Sequence, residues 1–233
     1  VLYNHTTEED QFLVGLMTNT KSYFVMSDDL VINKRTYGIM KFLVNPIPYK
    51  KASIDFSILK ICKKVVNEGG SICIAPEGNR TYSGKTCYIN PTITKMIHFL
   101  KVPVVFVHIE GGFGVHPRFA NQTRKGKSFG MVQKILTYDE YKDLSNEQLY
   151  EKIKENIYTD ETKPTGPFKA RKKAEYLERV IYHCPKCGIT KFESHKNRLI
   201  CTTCHSEHIY TEYKEFVGVN HEAFFKNVYL WYQ

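Results

Sequence analysis

The chain has 233 residues and 42% hydrophobic content, enough to bury a core in one large domain or in a domain with a small appendage. Its formal net charge of +9 suits anionic partners without choosing among nucleic acid, phosphorylated substrates, an acidic carrier protein and an anionic membrane surface. No run approaches the roughly 18 apolar residues of a membrane-spanning helix, so none is expected in this sequence.

Short apolar runs alternate with helix-length periodic segments over the first two thirds of the chain. We predict strands over 1–3, 23–26, 71–76 and 102–110, and helices over 8–17, within 29–43, and over 53–68, 91–100 and 145–158. The last helix begins with Ser145 and Gln148 in capping-box spacing. This alternation predicts an α/β fold with a mostly parallel sheet flanked by helices.

Two polar motifs follow predicted strands, HTTEED after the first and EGNR after SICIAP. In parallel sheets, ligands bind beyond the carboxyl ends of the strands. The two motifs are therefore expected to meet in one crevice, although they are far apart in sequence.

His5 and Asp10 form the first candidate pair. A histidine on a strand-to-helix loop can act as a general base when a carboxylate fixes its tautomer. Asp10 falls in the first turn of the next helix and can fold back toward the loop. The same stretch also has capping-box spacing, which requires no catalysis, so the two interpretations are compatible.

The second candidate is the loop with Glu77, Gly78, Asn79 and Arg80. Glycine lets the backbone approach a ligand closely, and arginine can hold a phosphate through paired hydrogen bonds. Taken alone, this loop is better explained as a tight turn with a surface Arg-Glu pair, because turn residues are common after strands.

Together the motifs resemble the glycerophospholipid acyltransferase family, typified by 1-acyl-glycerol-3-phosphate acyltransferase. The counterparts of its motifs occur in the family's order: His5 and Asp10, IPYKK with Lys50 or Lys51, PEGNR over 76–80, and VPV over 102–104. Asn79 replaces the usual threonine, and lysine stands where arginine is common. The phenylalanine-rich segment that follows the counterpart of PEGNR in the family is absent, which leaves the identity of the acyl acceptor open. GGFGVHPRF, with His116 and Arg118, is either a loop lining the site or a structural turn.

The resemblance implies the glycerolipid acyltransferase fold and an O-acyltransferase of phospholipid synthesis. An acyl group would pass from acyl-CoA or acyl-carrier protein to the free hydroxyl of lysophosphatidic acid, giving phosphatidic acid. His5, oriented by Asp10, would be the base, and Arg80 with Lys50 or Lys51 would hold the phosphate. Glu77, Gly78 and Asn79 would shape the loop. Glycerol 3-phosphate or another lysolipid is the alternative acceptor.

Four of the seven cysteines form CPKC and CTTC, namely Cys184, Cys187, Cys201 and Cys204. Two such pairs predict a closed tetrahedral zinc site with a structural role, in a reducing compartment. A nucleic-acid-binding zinc ribbon is the competing class of function, but it leaves HTTEED and PEGNR unexplained. We therefore do not expect nucleic acid as a partner.

These observations divide the chain into four predicted parts: an acyltransferase domain over 1–160, a basic linker over 161–178, a small zinc ribbon over 179–212 and an aromatic tail over 213–233. The lipid substrate and the basic surface predict a peripheral protein on the cytoplasmic face of the cell membrane, bound to anionic lipid. The membrane anchor expected in the family would precede Val1.

Overall fold

A computed structural model describes residues 1–27, 38, 41–42, 44–49, 57–163 and 165–233. Six strands form its first part. They are β1 (Leu2–Tyr3), β2 (Ser22–Ser27), β3 (Pro46–Tyr49), β4 (Ser71–Cys73), β5 (Val104–Glu110) and β6 (Phe129–Leu136). β2 pairs in parallel with β3 and β4, β1 pairs in parallel with β5, and β6 adds to β5 in antiparallel orientation.

Backbone hydrogen bonds at Ile74 join these strands into one sheet. Ile74 N–H donates to the Val1 carbonyl at 2.9 Å, and Tyr3 N–H donates to the Ile74 carbonyl at 3.2 Å. The strand order is therefore β3-β2-β4-β1-β5-β6, with only β6 antiparallel. This arrangement confirms the predicted mostly parallel sheet.

Helices cover both faces of the sheet. They are α1 (Asp10–Met17), α2 (Ser57–Asn67), α3 (Thr92–Leu100), α4 (Gly112–Val115), α5 (Tyr138–Tyr141) and α6 (Asn146–Ile157). Val14 of α1 packs with Phe24 and Val107 on one face, whereas α2, α3 and α6 pack on the other. Apolar residues alternate along the strands and supply both cores. The predicted flanking helices are thus confirmed.

Several predicted boundaries within the described residues shift by one to three residues, and two strands of this sheet were not predicted. The predicted capping box of α6 is present: Gln148 N–H donates to Ser145 Oγ at 3.2 Å, and Ser145 N–H donates to Gln148 Oε1 at 2.9 Å. β3 and β6 are additional to the sequence prediction. The helix predicted within 29–43 falls almost entirely outside the described residues.

The C-terminal part contains short antiparallel strands. β7 (His183–Cys184) and β8 (Gly188–Ile189) form a hairpin. A second sheet has the order β9-β10-β11-β12, and a helix, α7, closes the chain. These elements are β9 (Phe192–His195), β10 (Arg198–Cys201), β11 (Glu207–Tyr210), β12 (Phe216–Gly218) and α7 (Val228–Tyr232).

The C-terminal part packs directly on the residues that follow β5. Phe113 and Phe119 share one hydrophobic cluster with Tyr210, Phe216 and Trp231. The Trp231 indole N–H also donates to the His183 carbonyl at 2.8 Å, which ties α7 to the β7 hairpin.

The segment between the two parts also contributes to the packing. Phe168 is buried and lies directly against Gly114 and Gly126, where an added Cβ would come within 2.4 Å of its ring. Lys125 and Lys169 exchange backbone hydrogen bonds of 2.9 and 2.8 Å. Residues 161–178 therefore connect the two parts through buried contacts, and the exact domain boundaries stay predictions.

In the described part of the chain, no helix combines the length and the apolar composition that crossing a bilayer requires.

Candidate functional site

The loops after β1 and β4 meet at the carboxyl edge of the sheet because the two strands are neighbours. His5 N–H donates to Glu77 Oε1 at 2.9 Å, and Thr81 N–H donates to the His5 carbonyl at 2.9 Å. Buried Asn4 continues the pairing with β5, since its side chain exchanges hydrogen bonds with the Ile109 backbone at 2.6 and 2.8 Å. Asn4 was not singled out in the sequence, where no pattern marks it.

His5 and Asp10 lie in contact, with His5 Nδ1 2.9 Å from Asp10 Oδ2. Asp10 is fully buried and also accepts hydrogen bonds from the N–H groups of Thr6 and Thr7 at 2.7 and 3.0 Å. A carboxylate only accepts, so it favours the tautomer with the proton on Nδ1 and the lone pair on Nε2. The His5 side chain is 23% exposed, which leaves it accessible from the crevice.

The capping box expected from HTTEED is present only in part. α1 begins at Asp10, and Glu9 at the cap position makes no side-chain cap hydrogen bond. Thr7 N–H donates to Asp10 Oδ2, three residues on, as in a capping box, whereas Thr7 Oγ1 accepts from the Glu9 N–H at 2.8 Å, two residues on. The Asp10 carboxylate therefore accepts hydrogen bonds from the loop N–H groups and also contacts His5.

Glu77 connects its own loop to the His5 loop. Its Oε1 accepts from His5 N–H, and its Oε2 accepts from Cys87 N–H at 2.6 Å. Burial raises the pKa of Glu77 to about 7, although these two hydrogen bonds oppose the shift. Glu77 therefore fixes backbone positions rather than facing the crevice.

Arg80 lies at the crevice with its side chain 20% exposed, and its Nη2 is 2.8 Å from Glu8 Oε1. Gly78 has a φ of 65°, in the region that glycine tolerates best, and Asn79 follows it in the same loop. The structure thus brings together His5, Asp10, Glu77, Gly78, Asn79 and Arg80. Lys50 and Lys51 lie outside the described residues.

A family model for acyltransferases matches residues 1–110. We refer to residues 1–110 as the acyltransferase region. This acyltransferase region holds every predicted catalytic and substrate-binding residue and ends with the last residue of β5, so the predicted family resemblance is confirmed.

The fold of the chain also resembles that of a solved structure. The chain superposes on the 1-acyl-sn-glycerophosphate (LPA) acyltransferase PlsC from Thermotoga maritima with a TM-score of 0.56 at 20% identity. The match covers 67% of this chain and 61% of that one, so the two proteins share a fold over less than two thirds of the Thermotoga protein. No curated protein matches the chain.

Residues 111–118 lie beyond the family match but against its site. Helix α4 backs the His5 loop: a Cβ at Gly112 would lie 2.1 Å from Thr6 Oγ1. His116 Nδ1 is 3.0 Å from Glu9 Oε1, and Arg118 donates to the Arg80 carbonyl at 3.0 Å. In the sequence, this segment stood out by its glycines and by His116 and Arg118. The sequence did not predict that His116 contacts Glu9 or that Arg118 contacts Arg80.

An apolar cavity of about 350 Å³ lies on the face of the sheet covered by α2 and α3. It runs along α3 from Ile93 to Leu100 and reaches Gly70 and Pro103, where strands begin. None of the predicted site residues that the structure describes lines it. The cavity is therefore distinct from the crevice at the carboxyl edge of the sheet.

The four predicted zinc ligands come together in the C-terminal part. The Sγ atoms of Cys184, Cys187, Cys201 and Cys204 all lie within 4.8 Å of one another. Zn–S bonds of about 2.3 Å in a tetrahedron place sulfurs about 3.8 Å apart, and Cys184 and Cys204 are 3.7 Å apart. A hydrogen bond from Ser206 lowers the pKa of Cys204 to about 6, whereas desolvation and the neighbouring sulfurs raise the pKa of Cys184 and Cys187. The donor set fits a structural zinc ion.

Proposed function

We propose that the chain transfers an acyl group from a thioester to the free hydroxyl of lysophosphatidic acid. The contact between His5 Nδ1 and the buried Asp10 carboxylate, beside the Arg80 loop, carries the proposal. The match of residues 1–110 to the acyltransferase family model supports the class of reaction. The Thermotoga protein that shares the fold is named for a 1-acyl-sn-glycerophosphate substrate, which supports the choice of acceptor.

His5 acts as the general base of the reaction. With Nδ1–H donated to Asp10, Nε2 takes the hydroxyl proton while the hydroxyl oxygen attacks the thioester carbonyl carbon. A C–O ester bond forms and the C–S bond breaks. The imidazolium then gives its proton to the departing thiolate, so the products are phosphatidic acid and a free thiol. Asp10 stabilises the transient imidazolium, and no covalent acyl-enzyme is required.

Arg80 binds the phosphate of the acceptor, together with Lys50 or Lys51. Arginine matches phosphate with two parallel N–H donors. Arg80 is paired with Glu8, whose side chain is 62% exposed, and such exposed ion pairs contribute little free energy. A doubly charged phosphate can therefore displace Glu8 from Arg80. Arg118 keeps the Arg80 backbone in place during this exchange.

The overall charge of the chain suits an anionic donor and a lipid surface. The net charge of +9 favours acyl-CoA or acyl-carrier protein and a peripheral position on the anionic cytoplasmic face of the membrane. Cys184, Cys187, Cys201 and Cys204 would hold a zinc ion whose contribution is structural, since four thiolates leave no open coordination position.

Glycerol 3-phosphate and other lysolipids are alternative acceptors with the same reactive groups. A panel of these acceptors, each with acyl-CoA and with acyl-carrier protein, tests the proposal on the purified chain. We expect transfer to lysophosphatidic acid, abolished by His5→Ala and retained by His195→Ala, which removes an exposed histidine of the ribbon. An unchanged rate in His5→Ala would overturn the mechanism, and a preference for another acceptor would replace the substrate.

A further inference from the structure

A carboxyl group beyond the family match is buried next to the acyltransferase region. Glu161 is only 1% exposed, and its backbone N–H donates to the Gly84 carbonyl at 2.8 Å. Its Oε1 accepts a long hydrogen bond of 3.4 Å from the Phe113 N–H, and Oε2 has no partner in the described part of the chain. Burying a carboxyl costs free energy unless it gains hydrogen bonds, so an apolar residue would fill this space more cheaply.

Burial also changes the pKa of the Glu161 carboxyl group. Burial raises the pKa of Glu161 to about 7, while the charge of Lys214 and the N–H groups of Phe113 and Gly114 oppose the shift. Asp10 adds repulsion, because it lies near enough to act on Glu161 through space. Glu161 thus belongs to the electrostatic surroundings of the His5–Asp10 pair.

Lys214 of the C-terminal part holds the backbone of Glu161 through a hydrogen bond. It lies in the turn between β11 and β12 and is 1% exposed. Its Nζ donates to the Glu161 carbonyl at 2.5 Å and lies 3.4 Å from Thr165 Oγ1. A buried lysine is costly unless hydrogen bonds compensate, and here they fix one backbone segment.

Helix α4 continues the connection from Glu161 to the site. Phe113, which donates to Glu161, follows Gly112, and Gly112 lies so close to Thr6 that only a glycine fits. Thr6 Oγ1 donates to Asp10 Oδ1 at 3.1 Å, and Asp10 contacts His5. An unbroken series of contacts therefore leads from Lys214 through Glu161 and α4 to the Asp10 carboxylate.

We propose that Glu161 is a positioning residue that holds α4 against Thr6 and so keeps Asp10 oriented behind His5, with Lys214 of the C-terminal part holding Glu161. The C-terminal part thereby shapes the acyltransferase site without contacting substrate. The catalytic consequence rests on the proposed function, whereas the orientation of Asp10 can be measured without any substrate.

A purely structural role for Glu161 makes a different prediction. If Glu161 only filled space, its replacement would lower the stability of the chain and change the amount of folded protein. The turnover of the folded fraction and the His5–Asp10 hydrogen bond would stay the same. A positioning role instead lowers kcat with little change in KM, because the acceptor phosphate binds elsewhere.

Kinetics on three full-length variants separate these outcomes. Glu161→Leu removes the acceptor oxygen at similar volume, Glu161→Gln keeps an acceptor oxygen, and Glu215→Gln makes the same isosteric change in an ion pair with Lys226. We expect kcat to fall about 10-fold or more in Glu161→Leu, with KM within about 2-fold. Glu161→Gln should recover most of the rate, and Glu215→Gln should match the parent chain.

Proton NMR of the His5 ring tests the same link without substrate. A ring N–H donated to a carboxylate gives a downfield signal, which is assigned by its loss in His5→Ala. We expect Glu161→Leu to shift or remove this signal, while Glu161→Gln and Glu215→Gln retain it. If the parent chain shows no acyl transfer but the signal responds in this way, the proposed function fails and the positioning role stands.

An unchanged signal and unchanged kcat in folded Glu161→Leu would overturn the positioning role. If Glu161→Leu does not fold, Lys214→Met provides the same test from the other end of the connection. Loss or shift of the His5 signal in Lys214→Met supports the proposal, and an unchanged signal contradicts it.

Discussion

The acyltransferase region and the C-terminal ribbon place their polar groups in opposite ways. The first puts charged side chains on loops at the edge of a parallel sheet, with apolar cores on both faces. The second gathers four sulfurs from strands and turns of two to four residues, around a core rich in aromatic rings. A site on a large core can lose a charge and keep its fold, whereas a small ribbon depends on its metal ligands for order.

The largest effect should follow from removing one zinc ligand. Cys201→Ser is expected to abolish stoichiometric zinc binding and to unfold the ribbon, because structural zinc contributes about 10 kcal/mol or more in small zinc-folded peptides. Metal analysis and hydrogen exchange in β9 to β12 measure both changes. Cys87→Ser, in a loop outside the quartet, is the matched control. A ribbon that stays protected without zinc would show that its aromatic core suffices.

For a substitution of Asp10 we expect the reverse, a loss of activity without loss of zinc or of the fold. Asp10→Asn offers an N–H to His5 Nδ1 and so favours the wrong tautomer, and we expect kcat to fall about 10²- to 10⁴-fold. Zinc content should not change. Asp139→Asn, which breaks only an exposed pair with Lys142, serves as the control. A normal kcat in Asp10→Asn would mean that His5 needs no oriented partner.

A smaller effect concerns the dependence of stability on pH. The pKa of Glu77 is raised to about 7 in the folded chain, so between about pH 4.5 and 7 the unfolded chain binds fewer protons. Its contribution to the free energy of unfolding therefore falls as pH rises through this range, by at most about 3 kcal/mol. Denaturant titrations of Glu77→Gln should show a flatter profile. Glu161, whose pKa is also raised to about 7, accounts for part of the remaining slope.

The smallest effect is expected where α7 contacts the loop after Arg80. Tyr232 stacks on Tyr82 with ring centroids 6.0 Å apart and planes inclined by 7°. Such pairs contribute about 1 kcal/mol, so Tyr232→Ala should lower the free energy of unfolding by about that amount. Tyr213, which is equally exposed at 44%, provides a control substitution to alanine. Equal losses of unfolding free energy in Tyr232→Ala and Tyr213→Ala would show that the stacking of Tyr232 on Tyr82 does not contribute to stability.

Short-range patterns in the sequence predicted much of the sheet and the meeting of the two motifs. His5 and Glu77 each follow a buried strand, and neighbouring parallel strands bring such residues together. The cysteine spacing predicted which sulfurs gather, since two knuckles suffice to bring four of them within range. In these cases the relevant contacts are either local or imposed by strand alternation.

The contacts made across long stretches of chain were not predictable. The edge strand β6 has exposed residues on both faces and a register irregularity opposite Phe106 and Val107, so no clear alternation marks it. Nothing near Glu161 or Lys214 in the sequence indicates that they lie behind the His5 loop. Such pairings depend on how two packed parts meet, which no single motif encodes.

The position of Trp231 gives this protein a built-in optical reporter. It is the only tryptophan of the chain and is buried in the cluster that joins the C-terminal part to Phe113 and Phe119. Intrinsic emission excited at the red edge of the absorption band therefore originates from this junction alone. A red shift of that emission during stepwise denaturation would time the separation of the two parts, without any label, against the loss of helical circular dichroism.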